Sequence, residues 1–136
     1  MVCIYCRNST KISNSRHLAR KNGTWRRRNC QICNLTFSTV EVPDYSTIWS
    51  LARNNSKHLE PFNRTKLYIS IYQSLKHRNK ALEEAEELTN TVIMKMSNKV
   101  RDGLVFIEDL KESVMEILNN FDNTSLVYYK AYYDKD

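Results

Sequence analysis

Apolar positions in the last two-thirds of the chain recur at helical spacing, whereas those in the first third do not. Over residues 64–76, Leu67, Tyr68, Ile71, Tyr72 and Leu75 fall at three- and four-residue intervals, which predicts a helix with one buried stripe. Asn63 precedes it and is a strong cap residue. A second helix is predicted over residues 81–96, with Leu82, Ala85, Leu88, Val92 and Met96 inward and Glu83, Glu84, Glu86 and Glu87 outward. Those carboxylates sit near the helix N-terminus, where the dipole favours them. Asp102-Gly103 breaks the pattern. A third helix over about residues 106–119 turns Phe106 or Ile107, Leu110, Val114 and Ile117 or Leu118 inward, and a fourth, capped by Asp122, buries Leu126, Tyr129 and Tyr133. Before the first helix, Ile48, Trp49 and Leu51 open a short strand, Asn54-Asn55-Ser56 turns it, and residues 57–60 return. Residues 2–40 instead alternate in short polar and apolar pieces, with candidate strands at 11–13, 24–29 and 35–41 and a hairpin signal at Asn22-Gly23. The fold class is α+β: a small β segment followed by a hairpin with four helices.

Charge divides the chain at the same place. Residues 1–41 hold eight Lys or Arg against the single acid Glu41, a balance of +7, while the remainder holds thirteen bases against fourteen acids. The basicity therefore belongs to the β segment, which suits a polyanionic partner such as nucleic acid. Val42-Pro43-Asp44 reads as the joint, giving a first domain over 1–42 and a second over 45–136.

The first segment has too few large apolar residues for a core, and its four cysteines supply another means of folding. Cys3, Cys6, Cys30 and Cys33 form two C-x-x-C pairs and are the only cysteines. Each pair can aim both sulfurs at one ion from a tight turn, and two pairs complete a tetrahedron. The site predicted is one structural Zn²⁺ per chain. A catalytic zinc would keep an open position. No apolar run approaches the roughly 20 residues of a membrane span, and the N-terminus lacks the apolar stretch of a signal peptide. The expectation is a cytoplasmic protein without membrane contact, in which paired cysteines hold metal rather than disulfides.

Three arginines, Arg26, Arg27 and Arg28, run into the second cysteine pair. On a strand Arg26 and Arg28 share one face and Arg27 takes the other; with Arg16 nearby they are the candidate phosphate contacts. In the second segment Arg53, beside Asn54 at the hairpin turn, and Lys66, one turn into the first helix, suit a triphosphate at the helix N-terminus. Glu60 and Asn63 can hydrogen-bond a sugar or base. The tyrosines Tyr128, Tyr129, Tyr132 and Tyr133 suit helix packing or base stacking. His17, His58 and His77 are isolated, no nucleophile motif is present, and only two glycines occur, which leaves no Gly-rich phosphate loop. An enzyme is not expected.

This order of parts resembles the NrdR family, bacterial transcriptional repressors of ribonucleotide reductase genes built from a four-cysteine zinc ribbon and an ATP-cone. The likeness rests on Cys3, Cys6, Ser15-Arg16, Arg26-Arg27-Arg28, Cys30, Cys33-Asn34, Phe37, Thr39 and Glu41 in the ribbon. In the cone it rests on Glu60-Pro61-Phe62-Asn63, Lys66-Leu67 and Tyr133. The chain departs from the family pattern at Ile4, Asn14, Arg53-Asn54 and Tyr128. The resemblance implies double-stranded DNA contacted through Arg16, Arg26, Arg27 and Arg28, with ATP or dATP held by Arg53, Asn54, Glu60, Asn63 and Lys66. It also implies homo-oligomers whose size follows the bound nucleotide, and repression of reductase promoters. The competing expectation is a nucleotide-binding module whose ribbon docks on protein rather than DNA.

Overall fold

The structure, a computed structural model, describes residues 1–133, so the predicted end of the second domain, 134–136, lies outside the described residues. The chain forms two compact units, Met1–Pro43 and Asp44–Asp136.

The first unit is an antiparallel sheet of three strands in sequence order: β1 (Thr10–Leu18), β2 (Gly23–Cys30) and β3 (Thr36–Glu41). Its first strand is far longer than the three residues predicted. Almost every residue of β1 is exposed, so no alternation of polarity marks it, and pairing with β2 sets its length instead. A bulge between Ile12 and Asn14 interrupts that pairing. The β1–β2 connection is a short 3-10 turn, Ala19–Lys21, closed by Asn22 in the left-handed region at φ 46°. Gly23 follows because a Cβ there would lie 2.7 Å from the carbonyl oxygen of Glu41. Cys3, Gly23 and Cys30 are the only buried residues among those described in this unit. There is no apolar core.

The second unit does have one. A 3-10 turn, Tyr45–Thr47, is capped by the Asp44 side chain, which accepts from the Ser46 amide. It leads to β4 (Ser50–Ala52) and, after a loop, to β5 (Glu60–Pro61). Then come α1 (Arg64–Leu75), α2 (Ala81–Ser97), β6 (Leu104–Phe106), α3 (Ile107–Phe121) and α4 (Asn123–Tyr133). The sheet order is β5-β4-β6, with β6 parallel to β4. The predicted hairpin is thus one pair of a three-stranded sheet. The third strand has no counterpart among the predicted strands, and Phe106, predicted to open the buried stripe of the third helix, instead ends β6, stands at the N-cap of α3 and is 38% exposed. Ile48 opens no strand; it closes the 3-10 turn at 60% exposure, while Trp49 beside it packs on Tyr45 and Phe62 with ring centroids 4.5 and 5.4 Å away. The chain bends at Asp102-Gly103, both at positive φ, and a Cβ on Gly103 would meet the Ile48 carbonyl at 2.8 Å.

The helices pack around Ile71, Leu75, Val92, Met96, Val114 and Leu118, all essentially fully buried, with Val105 of β6 among them. Leu82 does not join them and is 60% exposed. The buried stripe of α2 starts at Ala81 and continues through Ala85, Leu88 and Val92, which turns the neighbouring position outward. Two of the four glutamates assigned to a solvated face are paired instead. Glu84 receives two bonds from Arg78 at 2.6 and 3.0 Å, and Glu86 receives Arg64 at 2.8 Å. At the α3–α4 corner the Asp122 carboxylate accepts from the Ser125 hydroxyl at 2.6 Å and its amide at 3.2 Å, and lies 2.9 Å from His77 Nε2. The Ser125 hydroxyl, aided by His77 and against the effect of burial, lowers the Asp122 pKa to about 2.

Candidate functional sites: metal centre, cationic sheet and nucleotide pocket

Two turns of the same construction carry the cysteines. In the first, the Cys3 amide donates to Asn8 O at 2.7 Å and Arg7 sits at φ 62°; in the second, the Cys30 amide donates to Leu35 O at 2.9 Å and Asn34 sits at φ 59°. A left-handed residue directly after the second cysteine of each pair reverses the chain, so both sulfurs face inward. All four Sγ atoms lie within 4.8 Å of one another, with Cys3–Cys33 at 3.6 Å and Cys6–Cys30 at 3.4 Å. A tetrahedral ion with Zn–S bonds near 2.3 Å has edges of about 3.8 Å, so the sulfurs stand close to the positions such an ion needs. Without a cation they cannot all ionise. Asn8, through its side chain and amide, lowers the Cys6 thiol to about 6. At Cys33 the Leu35 amide also lowers the pKa, but burial and the Cys30, Cys3 and Cys6 sulfurs outweigh it and push the thiol up to about 12. A divalent soft ion removes that conflict.

The register of the sheet sorts the basic residues by face. Directly opposed residues of an antiparallel sheet point the same way. Arg16 opposes Trp25, Asn14 opposes Arg27, and Lys11 opposes Asn29; these pairs share one face because Trp25, Arg27 and Asn29 alternate along β2. The Arg16 guanidinium lies 4.4 Å over the Trp25 ring. On the other face Arg26 opposes Ser15 and Thr39, and Arg28 opposes Ile12 and Phe37. Arg26 donates to Glu41 at 2.7 Å and Arg28 to Thr39 Oγ1 at 3.3 Å. Arg27 is exposed and makes no ion pair among the described residues. The four candidate arginines are therefore divided: Arg16 and Arg27 come together with Lys11, while Arg26 and Arg28 stand opposite with partners of their own.

In the second unit a cavity of about 180 Å³ opens at the start of α1. Glu60, Asn63 and Lys66 line it, and Asn63 caps α1 by accepting from the Lys66 amide at 3.0 Å. Arg53 and Asn54 are exposed on the loop after β4 and are not among its lining residues. The remaining wall is apolar and aromatic: Leu51, Phe62, Ile107, Leu110, Tyr129 and Tyr133, with Lys111 the second ammonium at its edge.

Residues 1–41 match the family described as transcriptional repressor NrdR-like, N-terminal domain, and residues 52–134 match the ATP cone domain. The transcriptional repressor NrdR of Clostridium kluyveri is 30% identical over 98% of this chain and 87% of its own length. The chain belongs to the NrdR family. The NrdR repressors of Neorickettsia sennetsu and Staphylococcus aureus are similar to it at 29% and 30% identity, each over 98% of this chain and over 88% and 84% of their own lengths. NrdR proteins are transcriptional repressors and not enzymes, and the two units are accordingly a ribbon holding one structural zinc and a cone that takes nucleotide as allosteric ligand. Among the described residues no helix is long and apolar enough to cross a membrane.

Lys111 is the charged residue of the cavity wall that is not among the predicted site residues. It follows Ile107 by four positions and precedes Val114 by three, so it lies on the inward stripe of α3. A lysine on an apolar stripe was the available signal.

Proposed function

We propose that the chain represses ribonucleotide reductase operons by binding paired promoter boxes through its ribbon, and that ATP or dATP in the cone cavity decides which homo-oligomer forms. The observation that carries the DNA half is the placement of Lys11, Arg16 and Arg27 on one sheet face, with Arg16 over the Trp25 ring. Zinc with four thiolates removes two units from the ribbon's +7 and leaves about +5, a strong field for a polyanion. Arg26 and Arg28 have intramolecular partners and serve the sheet before they serve DNA. In the cone, Lys66 and Lys111 receive phosphates beside the N-terminus of α1, Glu60 and Asn63 bond the sugar or base, and Tyr129 and Tyr133 supply flat apolar walls. Arg53 and Asn54 act from the neighbouring loop, closing on a nucleotide already seated. Because its cysteines must stay reduced, the protein works in the cytoplasm.

ATP and dATP must bind the two assemblies with different affinity, since a ligand that binds both equally shifts nothing. The experiment is mass measurement of the purified protein with ATP, with dATP and with neither, alongside binding to a duplex from upstream of reductase genes. The expected result is a nucleotide-dependent change of mass, with DNA retained in the dATP form. Binding that is indifferent to every adenine nucleotide overturns the sensing half.

A further inference from the structure

Large apolar side chains are exposed at the metal end of the ribbon, where a segment so rich in charge has no structural need of them. Within the first cysteine pair Ile4 is 53% and Tyr5 72% exposed, and within the second Ile32 is 70% exposed. Met1 and Val2, at 71% and 47%, lead into the same turn. The residues between paired cysteines form the tips of the two turns. With all four sulfurs inside 4.8 Å, the two tips stand side by side at one end of the unit. None of these side chains covers a core, because the unit has none.

The charges around the tip identify what it meets. Arg7 directly follows Cys6, Lys11 opposes Asn29 next to Cys30, and Arg28 precedes that cysteine by two residues. The ribbon's single acid, Glu41, opposes Thr24 at the far end of the sheet and pairs with Arg26. An apolar tip ringed by cations complements a surface with negative rims and an apolar interior, which is the arrangement of a nucleic-acid groove between its phosphate rails. The Lys11–Arg16–Arg27 face runs directly into this tip, since β2 continues from Trp25 through Arg27 and Asn29 to Cys30, a length of about 17 Å.

We propose that Ile4, Tyr5 and Ile32 form an apolar wedge that presses on the base stack of duplex DNA while the adjoining sheet face holds the phosphates. Apolar side chains used in this way unstack a base step and bend the duplex. The proposal rests on DNA binding by the ribbon and adds a second, salt-insensitive part to that contact.

The test compares the full-length protein with a Tyr5→Ser, Ile32→Ser double variant on a duplex from upstream of reductase genes, fluorescently labelled at both ends to report bending and carrying 2-aminopurine to report unstacking. Zinc content and amide NMR dispersion verify the fold, and Val42→Ser, at an exposed apolar residue beside Gly23 at the other end of the sheet, serves as the control. Expected for the tip variant are about a tenfold loss of affinity, an unchanged salt slope, and loss of the bend and of the 2-aminopurine signal. A tip variant that binds and bends like the parent overturns the wedge while leaving DNA binding by the ribbon intact. Retained DNA binding with lost repression in a reporter strain also overturns it and assigns the tip to a protein partner. A parent protein that binds no duplex overturns the wedge together with the reading on which it rests.

Discussion

Removing the metal tests the ribbon most directly, because the structure leaves almost nothing else to hold it. Its buried residues are two zinc ligands and Gly23, and its strands expose both faces. Structural zinc contributes about 10 to 16 kcal/mol near neutral pH, which is comparable to the whole stability of an ordinary small domain, about 5 to 15 kcal/mol. Chelation therefore unfolds residues 1–43 completely rather than loosening them. The cone keeps its own core of Ile71, Leu75, Val92 and Met96 and stays folded. Two-dimensional amide NMR during a chelator titration separates these outcomes: signals of residues 1–43 collapse to the random-coil region while those of the cone stay dispersed. The same titration gives the pH dependence. The thiols of the unfolded, metal-free ribbon have ordinary pKa values of about 8.5 and carry their protons at neutral pH, so zinc uptake releases protons and apparent affinity rises with pH. The rise is about tenfold per unit for each proton displaced. Dispersed ribbon signals in protein shown to be free of zinc would refute the reasoning.

The two sheet faces separate by salt dependence: Arg16→Ala with Arg27→Ala reduces the slope of log affinity against log salt by about 1.8, while Arg26→Ala, whose guanidinium already pairs with Glu41, changes it less; filter binding over a salt series reads both. Asp122→Asn costs about 2 kcal/mol of cone stability, from a carboxylate pKa of about 2 in the folded state against 3.8 as reference. The unfolded chain takes up this proton first as pH falls, so the contribution is full above about pH 4 and lost towards pH 2; denaturant unfolding followed by helical circular dichroism shows that decline in the parent and its absence in the variant. Lys66→Ala and Lys111→Ala each weaken ATP and dATP by about tenfold, the loss of one charge-assisted contact, with unchanged thermal stability by calorimetry. Equal binding by either variant removes that lysine from the phosphate site.

What the sequence made legible follows from which forces act locally. The cysteine spacing announced the metal because two turns of fixed length are all the site requires. The stripe Leu67, Ile71 and Leu75 announced α1, and Asn63 its start, since helix period and cap are written within a dozen residues. Strand β1 was legible only as residues 11–13, because its length comes from partners on β2 rather than from any alternation of its own. Strand β6 was missed for the same reason: three residues, Leu104–Phe106, pair with a strand fifty-four positions earlier, and their apolar run is equally good as the first turn of a helix. The division of the arginines was half legible. Alternation separates Arg27 from its neighbours, but that Arg16 joins Arg27 depends on the cross-strand register, with Arg16 opposite Trp25 and Asn14 opposite Arg27, and that Lys11 joins them depends on the bulge between Ile12 and Asn14.

That division bears on how a ribbon of this size can serve a switch. Three cations on one face, Lys11, Arg16 and Arg27, neutralising one phosphate each give a salt slope of about −2.7, which describes weak and largely sequence-independent binding. On the proposed reading regulation does not need to alter the ribbon at all. Two ribbons held together by their cones bind with a slope of about −5.4, and the second engages at the effective concentration set by its tether, which multiplies affinity by about a hundredfold or more without a new contact. A nucleotide that changes only the assembly thereby changes occupancy of a promoter. The salt slope itself is the measurement: with dATP it is about twice the value found at protein concentrations where mass measurement gives a monomer. Equal slopes in the two states would mean that the nucleotide acts on the ribbon's own contacts, and that assembly is incidental to repression.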